Sequence, residues 1–161
     1  MSTPELHPAL EVLRPLVGTF AGRGEGDFPT VDAFAYDEEV SFLAPGGPVL
    51  AYRQRTADPA SGRPMHGETG FLRSAGDGRL ELLLAHTFGL TEVQEGSLEV
   101  SADGLRLALT STTIGVAATA KPVDQVRREL VVEGDRLRSE LWMSYDGVEA
   151  QHLVSELHRT A

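Results

Sequence analysis

Five imidazoles carry most of the chemistry available to this chain: His7, His66, His86, His152 and His158. The sequence has no cysteine, so there is no thiolate to join them, no disulfide, no cysteine nucleophile and no CxxCH haem attachment. HExxH and HxH pairs with nearby carboxylates are also missing, and isolated histidines without cysteine do not spell a tetrahedral zinc site. His152 stands apart. In VEAQHLVSELH a strand period puts it on one face with Val148, Ala150 and Val154, and sends Glu149, Gln151, Leu153 and Ser155 to the other. An imidazole on a small apolar face has two readings: a core histidine bonded to a backbone carbonyl, or an axial ligand to a metal inside an apolar cofactor.

Other catalytic arrangements are thin. There is no GxSxG elbow, and no spacing of Ser, His and Asp recommends a triad. Glu38 and Glu39 are strand neighbours facing opposite sides, which suits surface or rim positions better than an acid–base pair. Met143 shares a face with Leu137, Leu141 and Tyr145 and is the expected pocket residue, while Trp142 goes with Arg138 and Glu140.

The segment GTFAGRGEGDFPT (18–30) places glycine at 22, 24 and 26. A dinucleotide-binding loop needs GxGxxG at the start of a helix, whereas this stretch reads GxGxG and runs into Asp27 and Pro29. Read as a strand, one face is Phe20, Gly22, Gly24, Gly26 and Phe28. That bare face suits strong coiling or the close approach of something flat and bulky.

The elements that must position these residues are mostly strands. Residues 4–17 have a helical look, with Leu6, Leu10, Leu13 and Val17 at three- and four-residue spacings and Pro15 limiting the end. From residue 18 onward, short alternating or apolar runs are separated by turn signals such as APGGP, SAGDG and YDG. Ten strands are expected near 18–27, 31–43, 49–57, 64–74, 79–86, 90–100, 104–112, 123–133, 136–145 and 148–159, with a crossing at 114–122. Sequential hairpins favour an all-β, ten-stranded antiparallel up-and-down barrel with a short N-terminal helix, since closure removes exposed edges. About eight strands already enclose a small ligand, so a pocket is expected.

At 161 residues, 1–161 reads as one domain. Fourteen Lys and Arg against 24 Asp and Glu give a net charge of −10, which disfavours nucleic acid and anionic membranes as partners. Glu5, Glu11 and Arg14 interrupt any signal-peptide centre, and 107–120 is too short and Thr-rich to span a bilayer, so a cytoplasmic location is expected.

Several stretches together resemble the nitrobindin family. GTFAGRGEGDFPT looks like its GxWxGxGxGxYPT signature, PMHGETGFLR (64–73) its central strand motif, LAHTFGLTEVQEG (84–96) its AHPxGxxE segment, and QHLVSELHR (151–159) its C-terminal histidine strand. The resemblance implies a ten-stranded barrel, similar in outline to lipocalins and fatty-acid-binding proteins, that carries one non-covalent haem b per chain. It also implies isomerisation of peroxynitrite to nitrate, binding of nitric oxide, and room for a homodimer. By position it makes His152 the axial ligand, and so both metal-binding and catalytic. It assigns Thr30 and Lys121 to haem or propionate contacts, and Met65 and His66 to the pocket, where the strand register allows only one of the two to point inward. The expected surround of the iron is apolar, from Met65, Met143 and Val154, with few strong donors. Phe20 and Phe28 replace the family tryptophan and tyrosine, losing an N–H and a hydroxyl, and Thr87-Phe88 replaces the AHPxG proline. The rival from the barrel alone is a carrier of a fatty acid or similar apolar molecule, anchored by Arg23, Arg53, Arg55, Arg127 or Lys121.

Overall fold

In the computed structural model, which describes residues 5–28 and 31–161, the apolar alternation of the sequence becomes a closed sheet. Its strands are β1 (Gly18–Phe28), β2 (Val31–Leu43), β3 (Val49–Ala57), β4 (Pro64–Gly76), β5 (Arg79–His86), β6 (Leu90–Val100), β7 (Leu105–Val116), β8 (Gln125–Glu133), β9 (Arg136–Tyr145) and β10 (Val148–Arg159). Each pairs antiparallel with its neighbours in sequence, and β1 pairs with β10 to complete the barrel. The expected crossing begins later than the sequence pattern suggested, because β7 continues through the Thr-rich run to Val116.

The N-terminal segment is a 3₁₀ helix over Pro8–Leu16. A 3₁₀ helix has three residues per turn, so Leu10, Leu13 and Leu16 stack on one face, all fully buried. Leu16 therefore takes the core position that a 3.6-residue period assigns to Val17. This face packs with Phe20, Phe42, Leu50, Leu72, Leu82, Leu107 and Leu137 and fills one end of the barrel.

Toward the other end, the inward rows change character. On β3 the row runs Leu50, Tyr52, Gln54, Thr56; on β5 it runs Leu80, Leu82, Leu84, His86; on β8, from the closed end, it runs Val132, Leu130, Arg128, Val126. A polar tier thus lies on the apolar plug, and above it the barrel is open.

The glycines of β1 make room for the wall of that open half. A Cβ on Gly24 would overlap the Tyr36 ring, and one on Gly26 would overlap the ring of Phe34. Both aromatics come from β2, whose Tyr36 and Phe34 pair with these glycines. Laid across bare backbone, Tyr36 reaches past β1 to Ser155 on β10, with 3.0 Å between the two hydroxyl oxygens.

Candidate functional site

The open half encloses a cavity of about 300 Å³, within the range of small-molecule sites. Its mouth is apolar, formed by Phe34, Met65, Phe88, Leu141, Met143, Tyr145 and Leu153, and its floor is polar.

The floor is a continuous network. Glu68 Oε1 accepts from Tyr52 Oη and from Arg128 Nη1, each at 2.5 Å, and Arg128 Nη1 also lies 2.9 Å from the Tyr52 oxygen. Glu68 Oε2 lies 3.0 Å from His86 Nδ1 and 3.5 Å from His66 Nε2. On its far side, His86 Nε2 contacts Glu92 Oε2 at 2.5 Å, and Gln94 donates to Glu92 Oε1 at 3.0 Å. Phe88 packs on both imidazoles, with ring centroids 5.0 Å and 5.1 Å away. The register explains the meeting: Glu68 pairs with His86 across β4 and β5, and His66 is two residues along the same inward row.

These charges set one another. Burial would push the Glu68 carboxyl up, but the Arg128 charge and the bonds from His66, His86 and Arg128 hold it well below the usual carboxylate range. Burial also opposes protonation of His86, yet Glu68 and Glu92 together push it up to about 9, so an imidazolium sits between two carboxylates at neutral pH. Glu38 differs because no cation answers it directly. Burial pushes it up to about 7, against the bonds from Gln54 Nε2 (3.2 Å) and Ser155 Oγ (3.3 Å) and with added repulsion from Glu68. Arg128 Nε and Nη2 are buried donors without a partner among the described residues.

Several of the expected pocket residues lie at this cavity and others lie elsewhere. Met143 lines the cavity, and of the Met65–His66 pair His66 lies further inside while Met65, 45% exposed, forms the rim. Lys121 sits at the mouth with Nζ 4.5 Å from the centroid of Tyr145. Thr30 lies outside the described residues. Glu38 is buried in the cavity wall rather than on the surface. The surround is not poor in donors, because inward positions on β3, β6 and β8 carry Tyr52, Gln54, Gln94 and Arg128. Of the cationic anchors expected, Arg23 and Arg55 pair with Asp37 and Glu39 on the outside, and Arg127 lies over Trp142; the inward arginine is Arg128.

The largest correction concerns His152. Gln151, Leu153 and Ser155 face the cavity, so strand alternation turns His152 and Val154 to the outer face. There the His152 ring stacks on Trp142 at a centroid distance of 5.1 Å, and Nε2 meets Glu140 at 3.1 Å. Alternation grouped His152 correctly with Val154, but the irregularity between Glu149 and Gln151 puts Val148 opposite Tyr145 and Glu149 on the outer side near Arg127, and the sequence could not say which face was inside. The polar floor was likewise visible only as polar residues sharing parity with aliphatic ones, as Arg128 does with Val126 and Leu130.

Over residues 9–159 the chain matches the family described as THAP4-like, heme-binding beta-barrel domain. It is 45% identical over 156 residues, 96% of this chain and 97% of the other, to a Mycobacterium avium protein named peroxynitrite isomerase 2. It is 44% identical to peroxynitrite isomerase 1 of Mycobacterium tuberculosis, with 98% of each chain covered. The crystal structure of Rv2717c from M. tuberculosis superposes with a TM-score of 0.92 at 43% identity, covering 98% of this chain and all of that one.

Proposed function

Because the chain belongs to the family of THAP4-like, heme-binding beta-barrel domains, we propose that it holds one non-covalent haem b in the mouth of its barrel. There it isomerises peroxynitrite to nitrate, and it also binds nitric oxide. The observation that carries this reading is the cavity: an apolar mouth over a charged floor, in a chain nearly half identical over its length to proteins named for that activity.

The side chains fit the group. Phe34, Phe88, Leu141, Met143 and Leu153 offer apolar surface to a flat macrocycle and exclude water from its faces. Lys121, whose Nζ lies over the Tyr145 ring, suits a propionate, and Thr30, outside the described residues, is proposed as a further haem contact. His152 is the proposed iron ligand. To face the cavity, β10 must slip by one residue near its start, since such a slip exchanges faces. The strand already carries an irregularity there, between Glu149 and Gln151. What keeps the ring outside is the pairing of His152 with Asp27 and Trp142, its stack on Trp142 and its contact with Glu140, together with the bonds of Ser155 to Tyr36 and Glu38 further along β10.

Bound in this way, a haem supplies an iron position open to a small anionic oxidant. The chain's own residues do the rest. Arg128 brings two unpaired donors toward an anion that the net charge of −10 would otherwise repel. Glu38 holds a proton near neutral pH beside Ser155 and Gln54. The network through Glu68 and His86 positions His66. No helix among the described residues is long and apolar enough to cross a membrane.

The test is reconstitution of the purified chain with haemin followed by mixing with peroxynitrite. The expected result is decay faster than with free haemin at equal concentration, with nitrate as product by ion chromatography. A rate no different from free haemin overturns the proposal.

A further inference from the structure

We propose that His66 Nε2, His86 Nδ1 and Glu68 Oε2 form a binding site for a divalent first-row transition ion of the zinc type on the cavity floor. The site does not depend on haem. A tetrahedral ion with bonds of about 2.0–2.1 Å separates its donor atoms by about 3.3 Å. The three observed separations are 3.0 Å (His86 to Glu68), 3.4 Å (His86 to His66) and 3.5 Å (His66 to Glu68). The last two are long for hydrogen bonds but match the edges of a coordination triangle.

Two imidazoles and one carboxylate are a donor set that suits zinc and its neighbours. The supporting contacts suit it as well. His86 presents Nδ1 because Nε2 is held by Glu92, itself fixed by Gln94, and Glu68 presents Oε2 because Oε1 is held by Tyr52 and Arg128. Carboxylate-backed imidazoles of this kind orient metal ligands and raise their basicity. On binding, the ion takes the place of the Nδ1 proton that His86 shares with Glu68, and that proton leaves to solvent. Glu68 and Glu92 balance the ion, Arg128 opposes it from the other oxygen of Glu68, and Glu38 is the further carboxyl lining the cavity. All three ligand residues line the cavity, so a fourth position is available to water or a small anion entering from the mouth. A water there would be acidified, which would make the floor a hydrolytic centre or an anion-binding centre.

The experiment is a Co²⁺ titration of the haem-free full chain after chelator treatment, read by the visible absorption of tetrahedral Co²⁺ and by its displacement with Zn²⁺. One equivalent per chain is expected. His66→Ala, at a partly exposed position, should keep the circular dichroism and Tm yet weaken binding by more than the 10–100-fold typical of losing only a supporting partner. His158→Ala, at an exposed position, should bind as wild type. Absence of tetrahedral Co²⁺ absorption, binding unchanged in His66→Ala, or binding lost in His158→Ala would each overturn the site. Glu68→Gln serves as a second ligand variant where it folds.

Discussion

Glu38 shows how one carboxyl in this wall couples stability to pH. Its pKa is pushed from 4.5 to about 7 on folding, chiefly by burial. A group raised in this way favours the folded state below its unfolded pKa, and that benefit is lost as pH rises through the folded value. The shift of about 2.5 units corresponds to about 3 kcal/mol. Glu38→Gln should therefore gain stability relative to wild type by about that amount between pH 4.5 and above 7, measured by urea unfolding at each pH. A constant difference across that range would show that Glu38 ionises freely. Gly24 gives a second test at this scale. Gly24→Ala drives a methyl into the Tyr36 ring and should cost about 1–3 kcal/mol by overpacking; a denaturation midpoint unchanged from wild type would mean that the ring does not lie there.

At the scale of elements, the 3₁₀ helix and the two ends of the barrel divide the labour. The leucine face of Pro8–Leu16 plugs one end, which frees the other for a cavity. Leu13→Ala removes a fully buried side chain from that plug and should cost about 2–5 kcal/mol. The expected signature is a lower urea midpoint at unchanged slope; a loss under about 1 kcal/mol would show the plug to be loosely packed. The β4–β5 corner carries a local substitution of its own. Thr87 accepts from the Gly67 N–H through Oγ1 at 3.1 Å and donates its own N–H to Gly67 O at 2.9 Å, a donation proline cannot make. That corner holds His86 and Phe88 over His66. On β10, by contrast, the bulge near Ala150 leaves the face of His152 dependent on a single residue of register.

For the whole molecule, the barrel and its strand boundaries were legible because hairpin turns and two-residue alternation are local signals. The pairing of Met143 with Leu141 and Tyr145 was legible for the same reason. What alternation cannot supply is the sign of a face, which depends on closure of the sheet, or the break near Ala150 that puts Val148 and His152 on opposite sides. Nor can it show that His66 and His86, 20 residues apart, meet across β4 and β5, or that Arg128 lies among them, since each is a long-range contact set by register. The glycine face of β1 leaves strong coiling and the close approach of something flat both open in the sequence, and the structure lays the chain's own Phe34 and Tyr36 across it.

Binding of haem through His152 is tested most directly by the Soret absorption of haem-reconstituted wild type, His152→Ala and His66→Ala, each with its circular dichroism. A protein-bound Soret band is expected in wild type and His66→Ala, and its loss in a still-folded His152→Ala. A band retained in His152→Ala would leave the imidazole on the outer wall where the structure shows it and end its role as iron ligand.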